Sequence, residues 1–141
     1  MIIEIPGYAV EAKLGSGDMT HVYRARHLRL DRLVALKVMH LGLTLRDEDF
    51  SSRFLREAHI AANLNHPKIV QVYDVNSYDN LHYIAMEYLD GGDLQKRLRY
   101  PITREKLIRL VADVSAALDF AHDRGYIHHD IKPTNILFRQ S

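Results

Sequence analysis

His128-His129-Asp130-Ile131-Lys132-Pro133-Thr134-Asn135 lies six residues before the end of a 141-residue sequence. Asp130, Lys132 and Asn135 form a compact polar set, flanked by apolar Tyr126-Ile127 and Ile136-Leu137-Phe138. The run reads as a phosphoryl-transfer catalytic loop, a chemistry that depends on positioned charge more than on covalent steps. A solvated loop can carry the same residue types by chance, so the reading turns on what accompanies it upstream.

Three upstream features matter, in a set order. Gly15-Ser16-Gly17-Asp18-Met19-Thr20 falls between two strand-like stretches. Glycines there let the backbone turn tightly and approach phosphates closely. A glycine-rich hairpin turn with no ligand looks the same. A dinucleotide-binding fingerprint needs a helix after the glycines, and a strand follows instead; no Gly-Lys-Ser/Thr is present for a Walker loop. Val34-Ala35-Leu36-Lys37 sets a lysine inside an apolar strand. It is either a solvated edge residue or an ammonium directed at phosphate. Glu57 lies mid-helix near the apolar face. It either pairs locally with Arg53 or meets Lys37, and an ammonium held by a carboxylate would be presented to phosphate oxygens. Chance rarely places all of these, in this order, ahead of Asp130 and Asn135.

Periodicity supplies the organisation. Residues 8–14, 20–28 and 33–39 alternate like strands. Residues 47–64 switch to helical spacing through Phe50, Phe54, Leu55, Ala58 and Ala61. Asp47, Glu48 and Asp49 sit where the helix dipole favours negative charge, and Asn65-His66-Pro67 ends the helix. Strands follow over 69–75 and 81–88, joined by turn residues 76–80. Gly91-Gly92 breaks the pattern. A short helix over 93–99 precedes Pro101. A longer one over 103–124 carries the apolar stripe Leu107, Leu110, Val111, Val114, Leu118 and Ala121, with Gly125 as its C-cap. Five strands with one inserted helix, then helices, is an α+β plan with a sheet-rich lobe and a helical lobe.

Bulk composition excludes several classes. The length fits one packed domain. A net charge of +1 gives none of the basic field that nucleic-acid binding needs. Cysteine is absent, which excludes disulfides and zinc–thiolate sites. No apolar run reaches the ~18 residues of a membrane span, and the first residues lack a signal-peptide pattern. The expected localisation is cytoplasmic. His122, His128 and His129 lack metal-ligand spacing. Arg97, Arg99, Arg104, Lys106 and Arg109 read as a solvated helix face.

With these residues in place, the chain resembles the N-terminal half of a eukaryotic-type (Hanks-type) Ser/Thr protein kinase over nearly its whole length. Gly15-x-Gly17-x-x-Thr20-x-Val22 resembles the Gly-rich loop. Val34-Ala35-Leu36-Lys37 is similar to the strand-three lysine motif, and Glu57 to the helix-C glutamate. Met86-Glu87-Tyr88-Leu89 looks like gatekeeper and hinge, and His128 to Asn135 like the catalytic loop. Lys132-Pro133-x-Asn135 is the form of Ser/Thr rather than tyrosine kinases. It also favours protein substrates over those of aminoglycoside phosphotransferases, which share His-x-Asp-x-x-x-x-Asn. The style of Asn65-His66-Pro67-Lys68-Ile69-Val70 is similar to bacterial members.

The resemblance implies one partial kinase domain: a five-stranded antiparallel N-lobe with helix C and hinge over 1–89, and the start of a helical C-lobe over 90–141. It implies ATP and Mg²⁺ as cofactors and a protein Ser/Thr hydroxyl as acceptor. Leu14, Val22, Ala35 and Leu137 would sandwich adenine, with Met86 behind. The Gly15-Ser16-Gly17 backbone would lie over the phosphates. Backbone groups of Glu87 and Leu89 would bond the adenine edge, and Asp93 would reach the ribose. Lys37, held by Glu57, would contact the α- and β-phosphates. Asp130 would accept or orient the substrate proton, Lys132 would neutralise the transferring phosphoryl, and Asn135 would bind one Mg²⁺.

Some positions depart from the family pattern. Thr20 replaces the third glycine. Ala61 is smaller than the usual helix-C packing residue. His129 replaces an arginine that pairs with an activation-loop phosphate, so control by such phosphorylation is expected to be weak. The family's Asp-Phe-Gly motif would fall beyond Ser141, so this chain alone is expected to turn over negligibly. The apolar stripe of the 103–124 helix is expected to lack cover and to favour a partner chain or self-association. Two other readings stand beside the kinase fragment: a pseudokinase-like nucleotide-binding or docking module, and a decayed reading frame.

Overall fold

A computed structural model describes residues 3–17, 20–40, 45–126 and 132–139. The chain forms two compact units, residues 1–65 with 70–88, and residues 66–69 with 89–141.

Short extended apolar runs build the first unit. Its strands are β1 (Tyr8–Gly17), β2 (Thr20–His27), β3 (Arg32–His40), β4 (Val72–Tyr78) and β5 (Leu81–Glu87), with α1 (Leu45–Ala62) between β3 and β4. They form one antiparallel sheet in the order β1-β2-β3-β5-β4. This is the expected five-stranded sheet with an inserted helix. Val34, Leu36 and Val38 of β3 point to one face, where Tyr23, Ala25, Tyr83, Ala85, Ile3 and Ile5 bury them. Period-two geometry sends Ala35, Lys37 and Met39 to the opposite face. There Met39 and Ile84 pack with Phe54 and Ala58 of α1. Burial beside Asp74 and Tyr83 pushes the Tyr8 phenol up to about 12, as desolvation disfavours the phenolate.

Several element boundaries differ from the sequence reading. Gly15, Ser16 and Gly17 are not a loop. They continue β1 and pair with Val22, His21 and Thr20, because the backbone of a hairpin is best satisfied by extending its ladder. Likewise β4 runs to Tyr78, opposite Leu81. Only Asp79-Asn80 remains as the turn, with Asp79 at φ 55. A two-residue hairpin needs that left-handed geometry, and Asp tolerates it.

The second unit holds α2 (Leu94–Arg97), α3 (Arg104–Asp123) and a 3-10 turn over Pro133–Asn135. Thr103 caps α3 by accepting from Lys106 N at 3.2 Å, and Gly125 at φ 85 ends it. Residues 66–69 dock on this helix. Lys68 Nζ lies 3.5 Å from Asp113 Oδ2, and the His66 and Phe120 rings are 4.9 Å apart. That is why β4 starts at Val72 and not at residue 69. Leu107, Ile108 and Val111 of α3 remain 44%, 59% and 57% exposed. No helix among the described residues is long and apolar enough to cross a membrane.

Candidate active site

In the first unit, strand register gathers the predicted nucleotide residues. Val22 sits opposite Lys37, and Lys37 opposite Ile84. One step along, Ala35 lies between Arg24 and Met86. Cross-strand partners share a face, so Val22, Ala35, Lys37 and Met86 lie together on the face that also meets α1. Met86 packs at the edge of the α1 cluster. Ala35 is buried, and Val22 and Lys37 are half-buried. Leu14 is exposed, at an irregularity of the β1 ladder between Lys13 and Gly15.

Gly15 itself is informative. It has no left-handed φ, and a Cβ built on it meets nothing within 4 Å. Neither turn geometry nor packing among the described residues requires a glycine there. Glu87 donates its N–H to Gln71 O at 2.9 Å. Leu89 is half-buried just beyond β5.

The predicted Lys37–Glu57 pair is not formed. Glu57 is exposed, and the ion pairs among the described residues join Arg24 and Arg26 to Glu11, Arg26 to Asp31, and Lys68 to Asp113. The reason is the seating of α1. Phe54 and Ala58 turn inward onto Met39 and Ile84, and the helix lies mainly against β4 and β5, which leaves Glu57 exposed. The alternative Arg53 pairing is also absent among the described residues.

In the second unit, Asp93 and Leu137 form an antiparallel bridge. Leu94 N donates to Ile136 O at 2.9 Å. Asp93 also caps α2, its Oδ1 accepting from Lys96 N at 2.9 Å. Lys132 and Asn135 stand at the two ends of the 3-10 turn, closed by Asn135 N donating to Lys132 O at 2.9 Å. Asp130 and its neighbours His128 and His129 lie outside the described residues.

Sequence reasoning missed two residues here. A Cβ on Gly91 would lie 2.5 Å from Phe138 O, and the Gly91-Gly92 pair was the visible signal. Arg97 is exposed, as a solvated helix face predicts, but its guanidinium carbon also sits 3.9 Å from the centre of the Phe138 ring.

A family model described as a protein kinase domain matches residues 8–141. The chain belongs to the protein kinase family. Serine/threonine-protein kinase PknJ of Mycobacterium tuberculosis is 43% identical over 136 residues, covering 96% of this chain and 23% of that kinase. Serine/threonine-protein kinase PknB of the same species is 46% identical over 136 residues, covering 92% of this chain and 22% of its own length. The Myxococcus xanthus kinase pkn3 is 45% identical over 133 residues, covering 92% and 24%. The crystal structure of the M. tuberculosis PknI kinase domain superimposes with a TM-score of 0.80 at 36% identity, covering 96% of this chain and 55% of that one. The chain therefore spans about a quarter of the curated kinases it matches. Its family is that of the bacterial Hanks-type Ser/Thr protein kinases.

Proposed function

We propose that this chain carries the nucleotide-binding part of a Ser/Thr protein kinase whose intact form transfers the γ-phosphoryl of ATP to a protein hydroxyl. The observation that carries this is the register placing Val22, Ala35, Lys37 and Met86 on one sheet face. Three apolar side chains beside one ammonium suit a flat apolar ring with an anionic tail. Gly15, which nothing among the described residues requires to be glycine, supports close approach of phosphates there. Leu14 would pack on the base with Val22 and Ala35, Ser16 and Gly17 would flank the tail, and Glu87 would contribute its carbonyl and Leu89 its backbone to the base.

By the family resemblance, Asp93 would reach the ribose and Leu137 the base. Lys132 would offset charge on the transferring phosphoryl, and Asp130 would orient the acceptor hydroxyl. Asn135 offers a carboxamide oxygen, a hard donor that suits Mg²⁺. Mg²⁺, when bound, neutralises charge on the phosphate oxygens. Cytoplasmic location is part of this proposal.

Nucleotide binding to the purified chain tests the reading. Lys37→Met should weaken ATP by roughly tenfold, the scale of one charge-assisted hydrogen bond, and leave adenosine unchanged. With Mg-ATP and a generic protein substrate, the chain alone should give no measurable turnover. Turnover near the usual ~1–100 per second would sink the inactive-fragment part of the reading.

A second reading, as a docking module, is favoured by α3. Its exposed Leu107, Ile108 and Val111 lie within about 100° of one another around the helix, and an uncovered apolar face of this kind invites association. Sedimentation should show concentration-dependent association, and Ile108→Glu with Val111→Glu should abolish it. A strictly monomeric wild-type chain refutes this reading.

A further inference from the structure

The two strands that carry Asp93 and Leu137 are tied together by a side chain that the nucleotide reading leaves unused. Gly91 N donates to Phe138 O at 2.8 Å, and Phe138 N to Gly92 O at 2.9 Å. Arg97, the last residue of α2, folds back over this ladder. Its Nε and Nη2 donate to Gly91 O at 3.4 and 3.2 Å. The same guanidinium lies over the Phe138 ring, at 3.9 Å from its centre. One planar cation thus holds the glycine strand by a carbonyl and the facing strand by a ring. A guanidinium can bond in its plane and stack on its face at once; an ammonium cannot.

We propose that Arg97 is a positioning residue for the nucleotide, a clamp that fixes Asp93 and Leu137 in register for the ribose and the base. This rests on the reading of those two residues as nucleotide contacts. The clamp is distinct from the contacts themselves, since Arg97 reaches the ligand only through Gly91 and Phe138. Its two interactions are exposed to solvent, so each is modest. Together they correspond to about five- to tenfold in affinity.

The test compares adenosine and Mg-ATP binding to the 141-residue chain and its variants, by equilibrium titration. Arg97→Ala should weaken both ligands by the same factor, about five- to tenfold, because the clamp acts at the nucleoside end. Phe138→Leu should do the same, and the double variant should add little beyond either single one. Arg97→Lys, which keeps charge but not the planar fork, should restore less than half of the loss. The urea midpoint of Arg97→Ala should fall by less than the loss of affinity corresponds to, because both contacts are exposed. No binding by the wild-type chain would instead remove the nucleotide reading, and the clamp with it. Wild-type binding that Arg97→Ala leaves unchanged overturns the clamp alone. So does a loss confined to ATP, or one matched by an equal loss of folding stability, which would assign Arg97 to fold maintenance.

Discussion

Leu36→Ala is expected to destabilise the sheet unit by about 4 kcal/mol, within the ~2–5 kcal/mol range for emptying a buried leucine site. Leu36 is fully buried at the middle of β3, with Tyr23 and Ala85 as its cross-strand partners. The cavity would open between three central strands, where the backbone ladders on both sides prevent collapse. About 4 kcal/mol is a large share of the ~5–15 kcal/mol that holds a typical domain. The urea midpoint should fall steeply with the slope unchanged. The chain has 8 Tyr and no Trp, and Tyr23 and Tyr83 pack in the same cluster as Leu36. Near-ultraviolet tyrosine dichroism therefore reports this core directly. Leu28→Ala is the control: Leu28 is 56% exposed, and its loss should stay within ~0.5 kcal/mol. Equal shifts for the two variants would mean that the core has been misassigned.

The same substitution should also weaken nucleotide binding at a distance. Leu36 lies between Ala35 and Lys37, whose side chains stand on the other face of β3. A strand cannot shift one face without the other. Core packing and lysine presentation are therefore one mechanical element.

What the sequence could and could not disclose follows from the range of each interaction. Alternation in 33–39 fixed both faces of β3, because period two is local and strong. Thr103, the stripe from Leu107 to Ala121, and Gly125 fixed α3, because capping chemistry is local too. The order of motifs from Gly15 to Asn135 identified the family, because each position is a residue type with its own chemistry. Apart from the hairpin ends at Gly15–Gly17 and Tyr78, the differences are non-local. Ile69 looks like strand, but its segment is held by the Lys68–Asp113 and His66–Phe120 contacts. Glu57 looks like a partner for Lys37, but the seating of Phe54 and Ala58 sets which way α1 turns. Arg97 is exposed as expected, but nothing local marks Phe138, 41 positions later in the same chain, as the ring it covers.

Gly91→Ala should cost roughly 3 kcal/mol in the second unit and remove measurable nucleotide binding. An ideal Cβ at position 91 would lie 2.5 Å from Phe138 O, 2.8 Å from Phe138 C and 2.9 Å from Arg139 C. All three are backbone atoms, so no rotamer change relieves the contact. The strands must part, and the two hydrogen bonds joining Gly91 and Gly92 to Phe138 go with them. Two such bonds are worth about 1 kcal/mol each, and residual overpacking adds roughly another. Gly125→Ala separates this cause from ordinary glycine strain. Gly125 has φ 85 with nothing within 4 Å of its added Cβ, so alanine there should cost only about 1 kcal/mol. Parting the strands also draws Gly91 O from Arg97 and moves Asp93 off Leu137. Binding should therefore fall further for Gly91→Ala than for Arg97→Ala, which leaves the ladder standing. If Gly91→Ala instead binds adenosine like the wild type, the Asp93–Leu137 pairing is not where the nucleoside sits.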